Sequence, residues 1–191
     1  GVASLNLLAT ACILAPGRLY LHQHATPREV GVFSAYFTST AQLSLAILYM
    51  LTAVLVPVAG EPAGQKELMS LLRRLGLRLF LGAWGLCVLT AWVGLALFGR
   101  QYPFYWEWAA LFAAAAALVL LQGAAAAVLA ARDFQGLCVS VAGSLAAGLA
   151  NVAFGFVFIP EWGIPGAALA LAAAYLLGVA CYAPFFRRAE A

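Results

Sequence analysis

Charge is scarce in this chain. Of its 191 residues only 9 % are Asp, Glu, Lys or Arg, where a water-soluble domain of this size carries about a quarter, so a globular surface could not be solvated. The formal charge of +3 is too small and too dispersed to suggest a nucleic-acid partner. Histidine is limited to His22 and His24, two apart in a predicted loop without further ligands nearby, which favours a solvated loop over a metal site. Cys12, Cys87, Cys138 and Cys181 lie inside long apolar runs with no CxxC pair. They read as small apolar packing residues, and neither a disulfide framework nor a thiolate metal site is indicated. Asp133 is the only aspartate, next to Arg132 in a short predicted loop, and Glu29, Glu61, Glu67, Glu107, Glu161 and Glu190 fall at or near the ends of apolar runs. With no paired acid and base, no metal cluster and no nucleophile beside its own base, enzymatic chemistry is unsupported, and no cofactor is expected.

What fills the space between the charges is long apolar sequence. Six stretches, roughly 2–21, 32–57, 76–98, 108–131, 137–159 and 164–186, are each long enough to cross a bilayer, since ~20 helical residues match ~30 Å of hydrocarbon. Their length, and the absence of the period-2 alternation a transmembrane strand needs, predict helices rather than a barrel. The expected fold is an all-α integral membrane protein, a single six-transmembrane-helix bundle over residues 1–191. The chain opens Gly-Val-Ala-Ser, with neither an initiator Met nor the basic n-region of a signal peptide, and is expected to be a piece of a longer polypeptide.

The runs are separated by turn and breaker residues: HQHATPREVG, AGEPAGQKE, GRQYP, RDFQG and PEWGIPG. One side of the predicted bundle collects Lys66, Arg73, Arg74, Arg78, Arg132, Arg187 and Arg188, and the other only Arg18, Arg28 and Arg100. Because Lys and Arg accumulate on the cytoplasmic side of short loops, both ends are expected to face the cytoplasm. Close helix contact in lipid relies on small residues. Ser140, Ser144 and Gly148 on the fifth run, Gly123, Ala127 and Ala131 on the fourth, and Gly82 and Gly85 on the third are the predicted packing faces.

The second run is unusually polar. At 100° per residue its Ser34, Thr38, Gln42 and Tyr49 form a stripe within a sector of roughly 80°. Such a stripe should avoid hydrocarbon, either as the wall of a hydrated pathway or as interhelical hydrogen bonding. Asn6, Gln42, Gln122 and Asn151 place a carboxamide in four runs; an amide facing lipid costs several kcal/mol, so all four should point inward. Asn151, near the middle of its run, reads either as a substrate contact or as structural glue. Arg18 follows Pro16 and Gly17, a pair that can bend a helix and turn the guanidinium inward, where it would suit a phosphate; the alternative is an arginine snorkelling to the interface.

Three segments together resemble the polysaccharide and lipid-linked oligosaccharide flippases of the multidrug/oligosaccharidyl-lipid/polysaccharide superfamily. They are PREVGVFSAYFTSTAQLSLAILYMLTAVLVPVAG (27–60), LALFGRQYP (95–103) and NVAFGFVFIPEWGIPGAALALAAAY (151–175). In the last, Asn151, Pro160, Gly163, Gly166, Ala167 and Ala168 are similar to the family's Asn…Pro-x-x-Gly-x-x-Gly-Ala-Ala pattern. Members have two six-helix lobes, so the resemblance implies that this chain is one lobe, the C-terminal one, with KELMSLLRR (66–74) as a cytoplasmic connection.

The resemblance further implies movement of a lipid-linked sugar across the bacterial cytoplasmic membrane by alternating access, with a missing N-terminal lobe and the lipid bilayer as partners. Within this lobe Arg18 best suits the substrate's charge, and Thr38 and Gln42 its sugar. Two rivals stand beside this reading. One is a cation-coupled multidrug exporter of the same superfamily; coupling there usually needs an intramembrane carboxylate, absent from the middle of every run. The other is a non-transporting scaffold of a polysaccharide-synthesis complex, which would need no hydrated cleft.

Overall fold

The structure, a computed structural model, describes residues 16–99 and 101–188. Among these residues the chain is helical almost throughout and contains no strand. Helix α1, Pro16–His24, comes first. Helix α2, Pro27–Phe37, begins with proline at a position whose missing N–H costs nothing and is closed by a reciprocal cap. The Thr26 backbone N–H and hydroxyl both donate to Glu29 Oε2 at 2.8 Å, and the Glu29 N–H donates to Thr26 Oγ1 at 3.4 Å. The chain then passes through one π turn, Thr38–Gln42, directly into α3, Leu43–Ala59.

Helix α4, Pro62–Phe98, corrects the sequence reading of a nine-residue loop. Only Gly60 and Glu61 separate it from α3. The predicted connection is helical because KELMSLLRRL is built of strong helix formers, and Leu68, Met69 and Leu72 pack against α5 and the end of the chain. At 37 residues α4 spans ~55 Å, more than the hydrocarbon requires; its apolar part is Arg74–Phe98.

Gly99, at φ 102°, opens the turn to α5, Trp106–Arg132. Asp133 ends α5 and caps the next helix, its Oδ1 accepting the Gly136 N–H at 2.6 Å. The final helical stretch, Phe134–Arg188, is broken at Gly163 into α6 (134–162) and α7 (164–188). Gly163 has φ 56° and ψ −125°, a combination that side chains other than hydrogen resist. Beyond it the chain doubles back. A methyl on Gly166 would strike the Phe158 carbonyl, one on Gly143 the Tyr182 ring, and one on Gly178 would press on Ala147. These pairs lie at nearly equal distances before and after Gly163, so α6 and α7 form an antiparallel hairpin.

Four helical stretches among the described residues are long and apolar enough to cross a membrane: Pro27–Ala59, Arg74–Phe98, Trp106–Arg132 and Phe134–Phe185. The last has 52 residues, and Gly163 divides it between the predicted runs 137–159 and 164–186. The predicted run 2–21 lies mostly outside the described residues, and with it Asn6 and Cys12. The chain is therefore an all-α protein with long apolar helices suited to a bilayer.

Helix α5 is the axis, touching α3, α4 and the α6–α7 hairpin. Its alanines make that possible: Ala109, Ala113, Ala115, Ala116 and Ala117 are wholly buried and let neighbouring backbones approach. Two predicted small-residue faces find neighbours. Gly123 receives Leu48 of α3, and Ser140 and Ser144 face Tyr182 across the hairpin. Gly82 and Gly85 do not; both are exposed, with nothing within 4 Å of an added Cβ, so the expected face on α4 is not used among the described residues.

The corner predicts two different penalties. Nothing lies near the methyl of Gly163→Ala, so its cost should be conformational alone, about 1–3 kcal/mol. Gly166→Leu should cost more, because the obstacle is backbone at Phe158 and Ile159 and cannot rotate away. Thermal unfolding of detergent-solubilised protein measures both, and melting unchanged from the parent in both variants would contradict the corner.

Candidate functional site

The polar segment of the second predicted run presents two faces. Toward the core, Ser39, Thr40 and Ser44 are all at most 8 % exposed. The Thr40 hydroxyl donates to the Tyr36 carbonyl at 2.7 Å, a bond back along the helix that tends to bend it. Ser44 Oγ lies 3.3 Å from Cys87 Sγ on α4. Ser44, which lies outside the predicted stripe, thus bonds between helices.

The outward face behaves differently. The Thr38 hydroxyl donates to Gln42 Oε1 at 3.3 Å, a pairing within one turn of the same segment. Ser34 and Thr38 are half-buried, while Gln42 and Tyr49 are exposed. No other described helix covers Gln42, although it stands near the middle of the 33-residue stretch Pro27–Ala59.

Arg18 joins this neighbourhood from α1. Its guanidinium carbon sits 5.5 Å from the centre of the Phe37 ring, a cation–π contact one residue from Thr38. The side chain is exposed, and the proposed bend before it involves residues outside the described ones. Phe37 lies five residues inside the predicted run 32–57. Gly17 against the Phe33 ring fixes α1 at this height.

Asn151 is not part of this exposed face. It is 4 % exposed, inside the bundle on α6. Gln122 is also internal, its amide donating to the Tyr182 hydroxyl at 3.5 Å. Tyr182 in turn donates to the Ser140 carbonyl at 2.9 Å, so a single phenol ties α5, α6 and α7 together. Pro160, Gly163 and Gly166 form the corner between α6 and α7 and are remote in sequence from the polar stripe.

Two phenols to which the sequence reading assigned no role of their own organise this region. Tyr182 is one. Tyr36 is the other: wholly buried, it donates to the Pro103 carbonyl at 2.9 Å and accepts the Tyr105 N–H at 2.7 Å, pinning α2 to the turn between α4 and α5. It also stacks on Phe112, with ring centres 5.5 Å apart. A tyrosine in an apolar run was the available signal, since a buried phenol needs a partner. Beside that turn, Trp92, Leu95, Ala96, Gly99, Tyr102, Pro103 and Phe104 line an open, mainly apolar cleft of ≈ 390 Å³.

Among the described residues no group of His, Cys, Asp and Glu could hold a metal ion, and every described carboxylate is exposed. The stripe can therefore offer hydrogen bonds to a polar ligand. Comparison with protein-family models, with curated protein sequences and with solved structures finds no match to this chain.

Tyr36→Phe isolates the worth of the pin. It keeps the ring stacking and leaves the Tyr105 N–H and Pro103 carbonyl unpaired, which should lower stability by about 1–3 kcal/mol. Melting of the purified variant tests this, and an unchanged midpoint would show that water or another group replaces the phenol.

Proposed function

We propose that this chain is one lobe of a transporter that flips a lipid-linked oligosaccharide across the bacterial cytoplasmic membrane. The observation that carries the reading is the Thr38–Gln42 pair at mid-helix, with Gln42 exposed on a face that the described helices leave bare and with Arg18 against the neighbouring Phe37. An amide facing hydrocarbon costs several kcal/mol, so this face calls for water or another polar surface. A second lobe opposite it would enclose a hydrated cleft. Thr38 and Gln42 would then hydrogen-bond sugar hydroxyls, and Arg18 would engage a pyrophosphate by two parallel bonds. The lipid tail of the substrate stays in the bilayer throughout.

The resemblance of the three sequence segments to oligosaccharide flippases supports the same reading and supplies the class of substrate. Alternating access of two lobes then carries the headgroup across. A cation-coupled exporter is less well supported, because no described carboxylate lies on the bare face. A scaffold remains the reading from another class, and it would cover the stripe with a partner helix.

Arg18→Ala in the full-length protein should abolish complementation of a flippase-deficient strain at unchanged membrane level. Its cation–π contact is exposed and worth only ~0.5–1 kcal/mol, too little to unfold the lobe. Arg18→Lys should recover transport only in part, since the paired geometry is lost. Full activity of the alanine variant would remove Arg18 from the site.

A further inference from the structure

The π turn at Thr38–Gln42 separates two halves of one long helix that are buried to different extents. Upstream, α2 is firmly anchored. Val32, Phe33, Ala35, Tyr36 and Phe37 are all buried, and Tyr36 bonds the 103–105 turn twice. Downstream, α3 has 17 residues of which only Ser44 and Ala59 are buried. It lies along α5 more extensively than α2 does, with Leu48 on Gly123 and Ala59 clustered with Val128, Leu129 and Tyr182, while Tyr49, Met50, Leu51, Val54, Val56 and Val58 are exposed.

A π turn carries an extra residue, widens the helix and interrupts its regular bonding, so it persists only where packing holds it. Here α4 supplies the room. Cys87, Ala91 and Gly94 recur on one face of α4; Cys87 and Ala91 are buried, and Ser39 sits so tightly on Gly94 that a methyl there would collide with its Oγ and Cβ. Ser39 gains no hydrogen bond from this position. Thr38, Thr40 and Ser44 each have a partner, whereas the Ser39 hydroxyl is buried with none.

An unmade bond at a buried hydroxyl is a cost that another arrangement could recover. If the turn relaxes to regular α-helix, Ser39 leaves Gly94 and can donate to the Ala35 carbonyl, as Thr40 already does to Tyr36. Dropping one residue of register rotates α3 by ~100° against α2. We infer that the π turn is a hinge at which α2 and α3 rotate against each other, with the Ser39–Gly94 contact as its pivot. Thr38 and Gln42 lie within the hinge, so each rotation re-aims the polar pair. The two arrangements make the segment a bistable element, which a bound molecule could bias.

The test needs no knowledge of what is transported. In the full-length protein in liposomes, with Cys12, Cys138 and Cys181 replaced and buried Cys87 retained, spin labels at Val56→Cys and Gln135→Cys report α3 against the start of α6. A second pair at Arg28→Cys and Glu107→Cys reports α2 against α5. Electron–electron distance measurements should give two populations for at least one of the pairs. Gly94→Ala, which wedges the pivot, should change the population ratio of that pair by at least about threefold. Ser39→Gly, which removes the pivot atoms without adding bulk, should also shift that ratio and serves if the alanine variant does not fold. A single narrow distribution for both pairs, or two populations indifferent to both substitutions, would overturn the hinge.

Discussion

A polar group in hydrocarbon has no water to fall back on, and most features of this chain stem from that condition. Helices satisfy the backbone internally, which accounts for long apolar stretches with no strand among the described residues. The buried phenols and hydroxyls obey the same rule. Tyr36 spends both its donor and its acceptor on one turn, and Tyr182 bridges three helices. Where lipid removes the hydrophobic drive between helices, close contact must come from small residues. The alanine face of α5, Gly123 under Leu48 and Gly143 under Tyr182 provide it.

Gln65 Nε2 is also buried without a partner, but it lies outside the membrane-length stretches; within them two described residues break that rule. Ser39 is buried without a partner, and Gln42 is exposed at mid-helix. Both lie in the one π turn of the structure's described residues. A single segment thus concentrates an unmet hydroxyl, irregular backbone and polarity directed away from the chain's own core. Sites of this kind are where function is expected, because a fold optimised only for stability would have paired the hydroxyl and covered the amide.

Much of the architecture was legible in the sequence. Run length indicated the helices, and the breaker segment PEWGIPG marked the corner that the Gly163 backbone makes. The start of α4 was not legible as such, because AGEPAGQKE contains every breaker of a loop; the proline instead occupies the first position of a helix, where its missing donor is harmless. The π turn was equally hidden, since TSTAQ has no composition that distinguishes it from an α-helical stretch and only the facing Gly94 makes room for it. For the site, the polar stripe could be read from periodicity, but which hydroxyls beside it bond to another helix could not. That depends on α4, which sets Cys87 opposite Ser44, while Gln42 has no facing helix among the described residues.

The central claim is that the outward face of the π turn meets water inside the membrane. Collision of a nitroxide at Gln42→Cys with a water-soluble nickel chelate and with oxygen, in liposomes of the full-length protein, measures this directly. Labels at Met50→Cys and Val54→Cys, exposed on the same helix, serve as lipid-facing references. The account predicts that the label at position 42 favours the chelate while those at 50 and 54 favour oxygen. An oxygen-dominated signal at position 42, indistinguishable from the references, would contradict it.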